Sequence, residues 1–237
     1  MNQNQNRNSV IRSAFYKSLP VMAGYIILGI GFGILLRNAG YGILWALAMS
    51  AAIYAGSMQY VGVGLLAGGA SVITTAITTV MVNARHLFYS ISMVDRYKDA
   101  GKYKPYMIFA LTDETYSLLS DGQVPEMTTG NRYRFFVSLF NQCYWITGSL
   151  IGNFLGSVLP FSTAGVEFSM TALFIASFTE QWLAGGDHIP ALTGFAGSLL
   201  CLLLFGQEYF LIPSMLVITL ILTLFRNRLD RGEEQSK

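Results

Sequence analysis

Long apolar runs constrain this sequence more than any other feature. Three of them cover residues 19–36, 45–67 and 211–225. A helix needs about 20 mostly apolar residues to cross a bilayer, so runs of this length predict membrane spans. Charged residues make up 12% of the chain, about half of the roughly 25% found in soluble domains. The sequence therefore predicts an all-α integral membrane protein.

The apolar runs and the Gly and Pro positions between them divide the chain into eight expected helical segments, which would form a polytopic helical bundle. Their predicted bounds are 20–37, 42–67, 71–95, 105–120, 132–160, 167–184, 189–206 and 208–226. We expect one transmembrane domain over residues 1–237, with a cytoplasmic segment at 1–19, membrane helices at 20–226 and a cytoplasmic tail at 227–237. The first apolar run is interpreted as a retained span, because the polar residues before it do not resemble a cleaved signal peptide.

The distribution of positive charge limits the topology. If all eight segments crossed the membrane from a cytoplasmic N-terminus, the basic loop from Arg96 to Lys104 would lie outside, against the positive-inside rule. If segments 42–67 and 167–184 are instead broken or re-entrant, six crossings remain. Both termini and the basic loop are then cytoplasmic. We therefore expect broken or re-entrant helices at these two places.

A weak internal repeat favours the same arrangement. The stretch "IYAGSMQYVGVGLLAGGAS" near Ile53 has a counterpart in "FIASFTEQWLAGGDH" near Phe174, and each follows a Gly-rich helix. With three crossings in each half, the second copy enters from the opposite side, which predicts an inverted repeat. Inverted repeats with interrupted helices are typical of secondary transporters, whose substrates bind near the interruptions. Chance similarity between Gly- and Ala-rich helices is the alternative.

The segment 71–95 carries an unusual polar cluster. At 100° per residue, Asn83 and His86 share one face with several hydroxyls, and Arg85 flanks that face. A charged side chain at membrane depth costs about 2.5–3.5 kcal/mol, so Arg85 is expected to have a partner. Asp113 and Glu114 are the candidates. If 105–120 is one helix, Asp113 points inward and Glu114 is rotated away, toward an interface.

Two interpretations of this cluster remain open. An Arg85–Asp113 pair would either fix helix packing or bind substrate and a coupling proton. His86 either exchanges protons, because its ordinary pKa lies near 6.5, or is a neutral hydrogen-bonded side chain.

The Gln-bearing stretches are the second group of candidates. Gly56 and Ser57 lie in an apolar helix where unwinding costs least, and freed backbone groups there could bind a zwitterion together with Gln59. Gln181 is at the matching place in the second copy. Ordinary close packing by small residues is the alternative at both places.

Small residues at four-residue spacing predict a close helix contact. Gly148, Gly152 and Gly156 form one such series, and Gly29 with Gly33 forms another. Cys143 and Cys201 are interpreted as isolated core-like thiols, because neither a CxxC nor a metal-ligand spacing is present. We expect no metal and no other cofactor.

Three blocks together resemble a known family. The stretches "YAGSMQYVGVGLLAGGAS", "TTVMVNARHLFYS" and "FALTDETYSL" are similar, in order and spacing, to the AzlC (azaleucine resistance) family of branched-chain amino acid export permeases. The resemblance implies the large subunit of a two-component exporter in the bacterial cytoplasmic membrane. It also implies a small hydrophobic partner of the AzlD type, and valine, leucine and isoleucine as substrates.

The residues and the resemblance together predict a secondary active exporter. No nucleotide-binding motif is present, so energy is expected from an ion gradient, most simply of protons. Arg85 or the Gly56–Gln59 backbone would hold the substrate carboxylate, and Asp113 would hold its ammonium group or the coupling proton. A passive channel or assembly subunit for zwitterions is the alternative, as is an intramembrane enzyme using Asp113, Glu114 and His86. The sequence has no basic patch interleaved with aromatic residues, so we expect no nucleic-acid binding.

Overall fold

A computed structural model of the chain describes residues 3–120, 130–158, 188–210, 213–214 and 216–224, with isolated positions at 168, 171, 175, 178, 179 and 182. Within these residues every regular element is helical and none is a strand, as the sequence predicts. The chain falls into two compact units, of which the first is Met1–Thr79 with Arg85–Met170 and the second is Val80–Ala84 with Thr171–Lys237. The single transmembrane domain remains a prediction.

The described helices differ widely in length, and the first begins near the N-terminus. In chain order they are α1 (Gln3–Asn38), α2 (Ile43–Ala52), α3 (Gly56–Ala67), α4 (Val72–Asn83), α5 (Arg85–Met93), α6 (Lys104–Phe109), α7 (Asp113–Ser120), α8 (Gly130–Val158) and α9 (Ile189–Tyr209). Residues 216–224 are also helical. A 3-10 turn at Gly101–Tyr103 precedes α6, and non-helical angles at Gly206 interrupt α9.

The first helix is longer than the sequence predicts. We expected it to begin at Pro20, but α1 begins at Gln3 and continues through this proline. Tertiary packing explains the extension, because Val10 and Ala14 are 2% and 0% exposed in a core that also contains Met93 and Tyr97. Burial of these side chains outweighs the hydrogen bond that proline removes from the helix.

Three of the expected segments are broken. The segment 42–67 consists of α2 and α3, separated at Tyr54, whose φ of 45° lies in the left-handed region that non-glycine residues seldom adopt. This break agrees with the expected broken helix, although whether the segment re-enters the membrane stays a prediction. The segments 71–95 and 105–120 were expected to be continuous, which is wrong. The first is interrupted at Ala84 and the second between Ala110 and Thr112.

The helices α1 and α8 pack closely through their glycines, as the spacing predicts. A Cβ atom added at Gly29 would lie 2.9 Å from the backbone nitrogen of Ser149, and one at Gly148 would lie 2.6 Å from the carbonyl oxygen of Ile26. Neither position has room for a side chain. Two backbones can approach this closely only where both helices present small residues.

Two described helices are long and apolar enough to cross a membrane, at Asn8–Asn38 and Ile189–Gly206. The helix α9 also exposes large apolar side chains, with Phe195 at 66% and Leu203 at 76%. Such surface is typical of a helix that faces lipid. The expected segment 167–184 lies mostly outside the described residues, so the inverted repeat and the six crossings stay predictions.

Candidate functional site

An ion pair between α5 and α7 forms the centre of the candidate site. A guanidinium nitrogen of Arg85 lies 2.8 Å from the Asp113 carboxylate, with side chains that are 22% and 30% exposed. The same guanidinium donates a hydrogen bond to the Ser57 hydroxyl on α3. The partner expected for Arg85 is therefore present, and the pair is partly accessible.

Three helix starts converge on this pair. Arg85 is the first residue of α5, Asp113 is the first of α7, and Ser57 is the second of α3. The chain breaks that the sequence did not predict at Ala84 and before Asp113 create two of these starts. Because the first N–H groups of a helix have no partner within it and its dipole is positive there, converging N-termini favour anions. The location of Asp113 and Glu114 in the first turn of α7 agrees with this preference.

Glu114 belongs to the same site but has a different partner. Its carboxylate accepts a hydrogen bond from the Tyr25 hydroxyl of α1 at 2.6 Å, and that hydroxyl lies 2.6 Å from the hydroxyl of Thr112. The expectation that Glu114 is rotated away toward an interface is wrong. Asp113 and Glu114 are successive residues of α7 and lie about 100° apart, so Asp113 meets Arg85 of α5 while Glu114 meets Tyr25 of α1, which the sequence did not reveal.

A chain of buried polar groups continues from Thr112. The hydroxyl of Thr112 donates to that of Thr115 at 3.0 Å, and the side-chain amide of Asn141 on α8 donates to Thr115 at 3.0 Å. Tyr25, Thr112, Thr115 and Asn141 are all less than 8% exposed. The site is therefore backed by a hydrogen-bonded wall from α1, α7 and α8.

Gln59 and Gly56 take part in packing beside this wall. Gln59 is fully buried, its carbonyl oxygen accepts from the Trp145 indole N–H at 2.9 Å, and its amide donates to Ser50 at 3.4 Å. A Cβ atom added at Gly56 would lie 3.1 Å from the Trp145 ring. In this conformation both Gln59 and Gly56 contact Trp145. These contacts agree with ordinary close packing, the alternative to substrate binding given above.

The remaining sequence candidates lie at three other places in the chain. The ring of His86 makes an edge contact with Tyr89 at 5.8 Å between centroids, and Asn83, the last residue of α4, belongs to the other compact unit. The hydroxyl of Thr79, on the predicted polar face of α4, donates to the carbonyl of Thr75 within the same helix at 2.7 Å. Gln181 lies outside the described residues.

Sequence reasoning missed Tyr25, Trp145 and Asn141. Each is a hydrogen-bonding side chain within an apolar stretch, as in "AGYIILG" and "FNQCYW", and that isolation is a signal that could have marked them. Among the described residues, no group of three or more His, Cys, Asp or Glu side chains could hold a metal ion.

Comparison with known proteins identifies the family. The profile described as "AzlC protein" matches residues 20–159, which include every described residue of the site. The chain belongs to the AzlC family. No solved structure matches it.

Several curated relatives match most of the chain. A protein of Bacillus subtilis called "Branched-chain amino acid transport protein AzlC" is 42% identical over 98% of this chain and 93% of its own length. A protein of Haemophilus influenzae called "Uncharacterized membrane protein" is 42% identical over 99% and 98%. The "Inner membrane protein YgaZ" of Escherichia coli is 30% identical over 69% and 71%. With its apolar helices, this AzlC-family chain is an all-α membrane protein.

Proposed function

We propose that this chain is the large subunit of a proton-coupled secondary exporter of branched-chain amino acids, acting with a small AzlD-type membrane subunit. The observation that carries the proposal is the partly exposed Arg85–Asp113 pair at three converging helix starts. The name of the Bacillus subtilis relative supports the substrate class. Valine, leucine and isoleucine would leave the cell across the cytoplasmic membrane.

The pair fits a zwitterion because it offers one charge of each sign. A substrate carboxylate would bind Arg85 and the first N–H groups of α3, while the substrate ammonium group would bind Asp113. The Arg85–Asp113 pair would then be replaced by two ion pairs, one between Arg85 and the substrate carboxylate and one between Asp113 and the substrate ammonium group. Every charge would stay compensated. An anion without an ammonium group would leave Asp113 without a cation, which costs free energy away from water. This exchange would favour amino acids over simple carboxylates.

Transport of a zwitterion against its gradient needs an energy source. A proton gradient suits this site, because a second carboxyl group, that of Glu114, and the Tyr25 hydroxyl lie beside the pair. The Gly56–Gln59 turn, Asn83, His86 and Gln181 remain candidate contacts for other conformations of the transport cycle. Alternating access moves such elements relative to the substrate.

Efflux from preloaded cells tests the proposal. Cells expressing the chain with and without a coexpressed AzlD-type subunit are loaded with labelled valine, leucine or isoleucine, and efflux is followed with surface expression measured in parallel. We expect subunit-dependent efflux that falls at least tenfold in Arg85→Gln and Asp113→Asn. Arg37→Gln, at an exposed position on α1, is the control. Absence of efflux from the unsubstituted chain would refute the proposal.

A charge exchange separates substrate binding from packing. In the double variant Arg85→Asp with Asp113→Arg, the ion pair can form again with its charges reversed. If the pair only fixes helix packing, expression and efflux both recover relative to the single variants. If it binds substrate, expression recovers but efflux does not, because both charges now lie at the wrong places. We expect the second result.

A further inference from the structure

Two neighbouring carboxylates of the site have different surroundings. Asp113 lies 2.8 Å from the guanidinium of Arg85, whereas the hydrogen bond given to Glu114 comes from the uncharged hydroxyl of Tyr25. Pairs of carboxyl groups in unlike environments divide acid–base work between them in many enzymes. The unlike partners of Asp113 and Glu114 favour the same division in this protein.

Protonation would disturb Asp113 far more than Glu114. A proton on Asp113 would remove the carboxylate charge that lies 2.8 Å from Arg85 and so break the ion pair. A proton on Glu114 would leave the Arg85–Asp113 pair intact. Glu114 is also only partly buried. Glu114 can therefore take up a proton without breaking the ion pair.

The hydroxyl of Tyr25 is placed to adapt to both states of Glu114. It lies 2.6 Å from the Glu114 carboxylate and 2.6 Å from the Thr112 hydroxyl, and it has a single hydrogen to donate. Both contacts are short hydrogen bonds. The direction in which that hydrogen points must therefore follow the charge of Glu114.

Two arrangements satisfy the same oxygen positions. When Glu114 is ionised, Tyr25 donates to it, and Thr112 turns its single hydrogen away from Thr115 to donate to Tyr25. When Glu114 has taken up one proton from water, it donates to Tyr25, Tyr25 donates to Thr112, and Thr112 donates to Thr115. Each hydroxyl keeps its own hydrogen and only rotates, so the sole atom gained is the proton on Glu114. No heavy atom has to move.

We propose that Glu114 carries the coupling proton and that the hydroxyls of Tyr25 and Thr112 reorient to stabilise both of its states, while the Arg85–Asp113 ion pair stays in place. The inference rests on the proposed function and assigns one of its steps to a residue. The titratable groups that face Glu114 come from α1, the α2–α3 connection, α5 and α7, and they are Tyr25, Tyr54, Arg85, Tyr89 and Asp113.

Infrared difference spectroscopy tests the titration without any transport. The full-length chain, in membranes with its coexpressed subunit, is compared between acidic and alkaline pH. We expect a protonated-carboxyl stretching band that is lost in Glu114→Gln and kept in Asp113→Asn. A band that persists in Glu114→Gln and disappears in Asp113→Asn would overturn the assignment, whatever the protein transports.

Proteoliposomes test the role in coupling. Leucine exchange between equal solutions needs no net proton movement, whereas accumulation driven by a pH gradient does. The side chain of Glu114→Gln mimics the protonated state, so this variant should lose gradient-driven accumulation while any loss of leucine exchange is much smaller. Tyr25→Phe should lower gradient-driven accumulation roughly tenfold, which corresponds to about 1.4 kcal/mol, the size of one hydrogen bond to a charged group.

A second buried tyrosine supplies the matched control. Tyr60 also donates a short hydrogen bond, at 2.7 Å to the carbonyl of Leu28, but does not contact Glu114. Tyr60→Phe should keep both exchange and accumulation. If Glu114→Gln accumulates leucine as the unsubstituted chain does, the inference is wrong while the proposed function stands. If the unsubstituted chain exchanges no amino acid, the proposed function fails first, and the infrared band still decides which carboxyl titrates.

Discussion

A single methyl group added at Gly152 should separate α1 from α8. An ideal Cβ atom at this position would lie 2.6 Å from both the Cα and the carbonyl carbon of Ile30. Carbon atoms in contact sit about 3.5–4.0 Å apart, so the helices would have to move apart by about 1 Å. The obstruction is backbone on a facing helix, which cannot rotate away as a flexible side chain can.

The cost of this separation has two parts. Overpacking a well-packed interface costs about 1–3 kcal/mol, and a gap of 0.5–1 Å loses about a quarter to a half of the dispersion energy of each contact it opens. The amide of Asn153, which donates to the carbonyl oxygens of Gly33 at 3.3 Å and Tyr41 at 3.0 Å, would also be stretched. We expect Gly152→Ala to lower the free energy of unfolding by roughly 3 kcal/mol.

The control lies on the same helix pair. A Cβ atom at Gly24 on α1 would meet nothing within 4 Å, and alanine is better than glycine within a helix by about 0.5–1 kcal/mol. In detergent, thermal unfolding should shift downward by roughly 6–12 °C in Gly152→Ala, and upward or not at all in Gly24→Ala. Equal stability of the two variants would refute the close packing of α1 and α8.

Two further substitutions test the buried polar contacts. Gln59→Leu removes the acceptor of the Trp145 indole N–H and should destabilise the protein by about 1–3 kcal/mol. The change is measured as a loss of thermal stability and of the tryptophan fluorescence of the folded state. Unchanged stability would show that the hydrogen bond contributes nothing. Asn153→Ala should cost a similar amount in the same assay, while Thr147→Ala, at an exposed position on α8, should stay within about 0.5 kcal/mol.

The partner of Arg85 was predictable from the sequence alone. A guanidinium in an apolar segment needs a carboxylate, and Asp113 and Glu114 are the acidic residues of the next predicted segment. Electrostatics decides such a pairing almost independently of geometry. The division of work between the two carboxylates was not predictable, because adjacent residues differ in role only through what lies opposite each of them.

The broken segments 71–95 and 105–120 show why periodicity has a limited range. Rotation at 100° per residue relates side chains only while one helix continues. The breaks at Tyr54, Ala84 and Thr112 end that relation, and no proline forces any of them. Residues near these breaks are contacted by side chains that are distant in sequence. Gln142 on α8, for example, donates a hydrogen bond to the carbonyl oxygen of Ala51, close to the break at Tyr54.

The sequence by itself determined the all-α membrane class, the family and the glycine faces of α1 and α8, because hydropathy, motif order and residue size are local properties. Tertiary structure alone decided that Glu114 meets Tyr25, that Gln59 meets Trp145, and that three helix starts converge on Arg85. These contacts join residues 28 to 89 positions apart in the chain. They depend on how the helices approach one another, and no local pattern encodes that approach.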